Sequence, residues 1–122
     1  MTTALWCVMV AGLLPYVAAV SAKWGAKGYD NRNPRAWLAA QTGFRARGNA
    51  AQANSFETFP FFAAAVLTAT WKHAPQGTLD TLALVFIAAR LLYLVAYLAD
   101  WSTFRSACWF VAFAVTVGMF TL

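Results

Sequence analysis

The sequence predicts an all-α integral membrane protein, a four-helix bundle whose four helices each cross the bilayer, and three observations carry that prediction. Hydrophobic residues make up 61% of the chain and charged residues only 11%, against roughly 45–50% and about 25% in soluble domains. The apolar residues fall into four runs close to the ~20 residues that a helix needs to cross ~30 Å of hydrocarbon. The basic residues gather on alternate connections, as they do where short loops face the cytoplasm. In 122 residues this leaves one domain, residues 1–122, and no room for a soluble catalytic unit. Disorder is excluded by an aromatic content of 16%, since disordered chains are poor in aromatics.

The first run, Thr3 to Ala22, contains no charge and sets the first helix at about residues 3–22. No basic residue precedes it and it exceeds the roughly 7–15-residue apolar core of a secretion signal, so it is expected to stay as a span. Pro15 inside it frees a backbone carbonyl and predicts a bend. Residues Lys23 to Arg47 form a polar connection with the turn-like run Gly28 to Pro34. The second helix is expected over about residues 49–71, starting polar and becoming apolar from Phe56, and Pro75 and Gly77 break the chain after it. The third is expected over about 79–98 with Arg90 in its interior, and the fourth over about 106–122, near the lower length limit.

Lys23, Lys27, Arg32, Arg35, Arg45 and Arg47 all lie in the first connection, whereas the second holds Lys72. The positive-inside rule puts the first connection in the cytoplasm and, with four spans, both termini outside it. The net charge of +5 thus follows topology and does not call for a nucleic-acid partner. The tryptophans Trp6, Trp24, Trp37, Trp71, Trp101 and Trp109 lie near expected span ends and read as interfacial anchors. Cys7 and Cys108 are alone in separate helices at opposite ends of the bundle, which argues against a disulfide or a redox motif. His73 has no second ligand at metal-binding spacing, and no phosphate loop or nucleophile elbow is present.

Charged groups within a span cost about 3 kcal/mol each on insertion scales and therefore face a bundle interior or a cavity. At about 100° per residue, Asn54 falls about 60° from Glu57 on the second helix, with Arg47 about 80° to the same side and Asn49 about 80° to the other. On the third helix Tyr93, Tyr97 and Asp100 fall about 60°, 20° and 80° from Arg90. One reading is an interhelical Glu57–Arg90 ion pair that fixes register. The other is a ligand site: Asn49, Gln52, Asn54, Tyr93, Tyr97 and Arg105 exceed what one ion pair needs, and the mixture of charges and neutral donors suits a zwitterionic or peptide-like molecule.

The stretch from Arg45 to Pro60, with Asn54, Glu57 and Pro60 each three residues apart, resembles the signature of the MAPEG superfamily, membrane-associated proteins in eicosanoid and glutathione metabolism. The four-span length and the Arg90, Tyr93, Tyr97 series resemble it as well. The run Asp30-Asn-Arg-Asn-Pro-Arg35 is similar to a bacterial branch of undefined role, which implies an inner-membrane location. The resemblance implies a homotrimer with glutathione as co-substrate, bound between subunits near the cytoplasmic face, and a hydrophobic small-molecule acceptor entering from the lipid. Arg47, Asn54, Glu57, Arg90, Tyr93 and Tyr97 are then the glutathione-binding residues, and Arg105 the catalytic residue that favours the thiolate.

The chain departs from that pattern in three places. The arginine that many glutathione-using members carry four residues before the Asn is here Ala50, with Arg47 one turn earlier as its candidate substitute. The position after the Glu is Thr58 instead of an aromatic hydroxyl, and the spacing from Tyr97 to Arg105 differs by one residue. The expected function is a glutathione transferase or peroxidase acting on hydrophobic electrophiles or lipid hydroperoxides. The alternative is a non-catalytic relative that holds lipid in the same cleft. A small multidrug exporter is disfavoured, because such exporters carry their glutamate in the first helix and this one has none there.

Overall fold

The computed structural model describes all residues, Met1–Leu122, and contains helices only. There are five: α1 (Thr3–Lys23), α2 (Pro34–Ala39), α3 (Gly43–Trp71), α4 (Gln76–Leu98) and α5 (Ser102–Phe120). The expected four long helices are present, with corrected ends. α3 begins six residues before Asn49, α4 three before Leu79 and α5 four before Ser106, and α5 stops at Phe120. These corrections have one cause: polar first turns are helical here, and apolar periodicity does not register them. The turn-like connection also contains a helical turn, α2, which starts at Pro34, where the fixed φ of proline suits a first helical residue.

α1, α4 and α5 are each long and apolar enough to cross a bilayer. α3 has 29 residues and lies along α1, but its first half carries Arg45, Arg47, Asn49, Gln52, Asn54 and Glu57 and is correspondingly less apolar. α1 packs mainly on α3, α4 mainly on α5, and α3 also touches α4 and α5.

The α1–α3 seam is built mostly from small residues at helical spacings of three, four and seven. Ala4, Cys7, Ala11, Leu14, Ala18 and Ala22 are buried on α1, and Gly48, Ala51, Ser55, Phe62, Ala65 and Ala69 on α3. In lipid, helices are held by close van der Waals packing and interhelical hydrogen bonds, and small residues let the backbones approach. A Cβ on Gly48 would stand 2.8 Å from Cβ and 3.1 Å from Cα of Ala22, so glycine sets the separation at this crossing. Toward the opposite end, the rings of Phe62 and Phe86 stack with centroids 3.7 Å apart and tie α3 to α4.

Two further bonds lock the helix ends. Asp80 accepts from the Ala4 N–H at 2.8 Å, which satisfies a donor at the start of α1 that has no intrahelical partner. Its Oδ1 also accepts from Gln76 Nε2 at 2.8 Å. Arg45 reaches the other end of α1 and donates to the carbonyls of Ala22 and Trp24. Cys7 and Cys108 are both free thiols in separate buried clusters.

Candidate functional site

The site is built where the first half of α3 meets α4 and α5. Arg90 is 2% exposed, yet its Nη2 is satisfied by α3: it donates to Asn54 Oδ1 at 2.9 Å and to Ser55 Oγ at 3.3 Å. Nη1 is buried without a partner, and the guanidinium lies over the Tyr93 ring at 4.0 Å. The Glu57–Arg90 ion pair of the first sequence reading does not form. One helical turn explains the exchange: Asn54 and Ser55 meet Arg90 of α4, whereas Glu57 lies exposed at a cleft that faces α5.

From Arg90 a series of two rings flanked by two cations runs toward the α4–α5 turn. Tyr93 and Tyr97 meet edge to face with centroids 5.6 Å apart, and the Arg105 guanidinium covers Tyr97 at 4.4 Å. Arg105 is in the first turn of α5, and its backbone N–H donates to the Trp101 carbonyl at 2.9 Å. Arg90, Asn54, Tyr93, Tyr97 and Arg105 are thus brought together.

Arg47 is held apart from them. Its Nε and Nη2 donate to the carbonyl of Leu98 at 3.3 and 3.0 Å, where a cation meets the free carbonyls and negative dipole end of α4.

Two clefts open beside this cluster, each of about 210 Å³. In the first, Asn54, Glu57, Thr58 and Phe61 of α3 face Trp109, Ala112, Phe113 and Thr116 of α5 over Phe86. In the second, Tyr93, Tyr97, Arg105 and Ser106 are the polar lining, with Trp109 and Phe110. Trp109 is common to both. Its ring stacks on Phe113 with centroids 5.2 Å apart and planes 7° from parallel, which fixes it as the partition between the clefts. The first cleft is thus acid and amide below aromatic rings, and the second is a cation among hydroxyls.

Sequence reasoning did not single out Ser55 or Trp109 for this site. Trp109 reads as a membrane anchor by its position near a span end, but Arg105, Trp109 and Phe113 recur every four residues, which puts them on one face of α5. Ser55 carries no such signal. The largest concavity of the surface, about 860 Å³ between α1, Phe44 and Leu98, is apolar apart from Ser21. That hydroxyl donates to Val17 O at 2.8 Å.

No curated protein and no solved structure matches the chain. The model of the MAPEG family matches residues 3–122. That match covers α1 to α5 and both clefts, and with it the Asn54-Glu57-Pro60 spacing and the apolar helices are accounted for together: the chain is an integral membrane protein of the MAPEG family.

Proposed function

We propose that this protein binds glutathione between the subunits of a homotrimer and uses it as a transferase or peroxidase on hydrophobic electrophiles or lipid hydroperoxides. The exposure of Glu57 carries this reading. A carboxylate midway along a long helix, exposed at the cleft between α3 and α5, costs about 3 kcal/mol against lipid. A neighbouring subunit and a bound amine relieve that cost. Cover by neighbours also makes α3 the fourth span, despite its polar inner half. Each cleft, at about 210 Å³, falls short of the roughly 300 Å³ of a pocket that encloses a small molecule, so a second subunit completes it.

In this reading Asn54 and Glu57 take the polar backbone and amine of glutathione. Arg90 acts as a positioning residue: because Asn54 Oδ1 accepts a hydrogen bond from Arg90 Nη2, the Asn54 amide N–H groups are directed away from Arg90. Arg47 serves as a cap on α4 in place of a ligand role. Arg105, over Tyr97, faces the thiol and favours the thiolate. The thiolate attacks an electrophilic carbon, forming the C–S bond as the bond to the leaving group breaks. With a hydroperoxide it attacks the terminal oxygen, the O–O bond breaks and the alkoxide takes a proton. The resulting glutathione sulfenic acid reacts with a second glutathione to give the disulfide and water. The rings of Phe61, Phe86, Trp109 and Phe113 suit an apolar acceptor.

Ala50 supports the second reading, a non-catalytic relative that holds lipid, because it removes one cation from the ligand face. Native mass spectrometry of the detergent-solubilised protein separates the two. Three copies carrying glutathione are expected, and a monomer, or a trimer with lipid that glutathione does not displace, overturns the proposal.

A further inference from the structure

The two clefts beside Arg90 share a wall, and of the residues that line either of them only Trp109 lines both. Its indole is half-buried and held on three sides. It stacks on Phe113 with centroids 5.2 Å apart, meets the Phe110 ring edge to face at 5.1 Å, and packs against the buried cluster that contains Tyr93, Leu94 and Cys108. Phe113 is itself backed by Phe61 of α3 at 6.1 Å, and Phe61 by Phe120 at 5.3 Å. A swing of the indole therefore breaks its ring contacts and opens a void behind them, which close-packed interiors resist. Phe110 differs: it is 65% exposed and forms the rim of the second cleft, so the rim yields where the wall does not.

The fixed wall sets how much fits beside Arg105. The second cleft holds about 210 Å³, and at about 30 Å³ for each water-sized group in a liquid that is roughly seven such groups. In the glutathione reading the sulfur and its carbon take two of them, which leaves about five for the reacting end of the acceptor. An unbranched chain that ends in a hydroperoxide enters within that limit, and a fused ring pair attached at the reacting atom exceeds it. A second subunit that covers the mouth leaves this wall in place, because Trp109 is held from within its own chain.

We infer that Trp109 is the specificity-determining residue of the site and that it restricts the acceptor to slender molecules: a straight-chain hydroperoxide, or an electrophilic carbon with its leaving group at the end of an unbranched chain. Fused-ring and aryl-branched electrophiles are excluded. The inference rests on the glutathione reading above and adds to it the shape of the second substrate. Trp109 takes no part in the bond changes, which proceed as described there; the indole limits what stands next to the sulfur. Arg105 and Trp109, four residues apart on one face of α5, thus divide the work between charge and room.

The test uses two inert stand-ins for the product, S-hexylglutathione and S-naphthylmethylglutathione, which carry a slender and a bulky group on the same sulfur. Calorimetric titration of the full-length protein in neutral detergent micelles gives the ratio of their affinities. The native chain binds the hexyl conjugate about tenfold more tightly, the lower end of the discrimination that one ill-fitting methylene brings in an apolar pocket. Trp109→Ala joins the clefts into a space above roughly 300 Å³ and brings the two affinities to within about threefold, a difference under about 0.7 kcal/mol. Trp109→Phe, which keeps a ring on Phe113, retains most of the native ratio. A purely structural role for Trp109 lowers both affinities together and leaves their ratio as it was. A native ratio near one, tighter native binding of the bulky conjugate, or a ratio that Trp109→Ala leaves unchanged overturns the inference. Glutathione bound by the native chain without selectivity between the conjugates removes this inference alone, whereas no binding of glutathione or of either conjugate removes the glutathione reading and this one with it.

Discussion

Arg90 and Asn54 join α4 to α3 inside the bundle: Nη2 of the buried guanidinium donates to the amide Oδ1 at 2.9 Å. The bond makes a charge tolerable in the core and fixes the rotation of α3 that leaves Glu57 exposed at the cleft with α5. It also makes the pair asymmetric, because Arg90 is 2% exposed whereas Asn54 borders a cleft.

The asymmetry predicts the order of mutant stabilities. Asn54→Ala leaves a buried cation with only Ser55 and lowers the unfolding free energy by about 2–3 kcal/mol. Arg90→Met in addition removes that orphaned charge, and the double variant recovers much of the loss. Denaturation in micelles across the double-mutant cycle checks this. A loss for Asn54→Ala below about 0.5 kcal/mol contradicts it, since it is within the range of ordinary surface substitutions.

Arg47 caps α4 through two N–H groups on one carbonyl, that of Leu98. Arg47→Gln should lower stability by about 1 kcal/mol and leave glutathione affinity within about twofold, a change of under about 0.5 kcal/mol. Calorimetric titration beside thermal unfolding distinguishes the roles. An affinity loss without a stability loss would return Arg47 to the ligand site.

Gly48 has Ala22 Cβ 2.8 Å and Ala22 N 3.2 Å from where its own Cβ would be. The obstacle is partly backbone and cannot rotate away, so Gly48→Ala costs about 1–3 kcal/mol through displaced helices. Gly12→Ala, whose Cβ meets only the Phe59 ring at 3.3 Å, costs less. Thermal unfolding of both variants gives the comparison, and equal losses would refute a contact specific to the α1–α3 crossing.

Asp80 holds the Ala4 N–H at 2.8 Å across 76 residues of sequence. Asp80→Ala should cost about 1 kcal/mol, the usual worth of an N-terminal cap, and Asp80→Asn much less because its amide oxygen still accepts. Hydrogen exchange at the first turn of α1 reports it locally, with faster exchange expected in Asp80→Ala alone.

Asp80 also marks where the sequence stops being readable. Its partner is the start of another helix, and no spacing along α4 announces a backbone N–H donated by α1. The long helices were legible because lipid imposes apolar runs of fixed length, and Asn54 and Arg90 were legible because charge and amides are rare in such runs. Their pairing was not: Glu57 and Asn54 fall within about 60° on α3, and only packing against α4 decides which of them meets Arg90. Ser55 and Trp109 escaped because a serine and an interfacial tryptophan are common in membrane helices. The polar first turns of α3 and α5 escaped because they carry no apolar period.

The Arg105 guanidinium lies over Tyr97 at 4.4 Å at the edge of the second cleft, where the proposed thiol would sit. The measurement is glutathione binding to the detergent-solubilised protein by calorimetry, with thiolate absorbance recorded on the same samples, for the native chain and Arg105→Ala. Binding to both is expected, with a thiolate signal in the native protein that Arg105→Ala loses. Absence of binding to the native chain, or a thiolate signal that survives in Arg105→Ala, contradicts it.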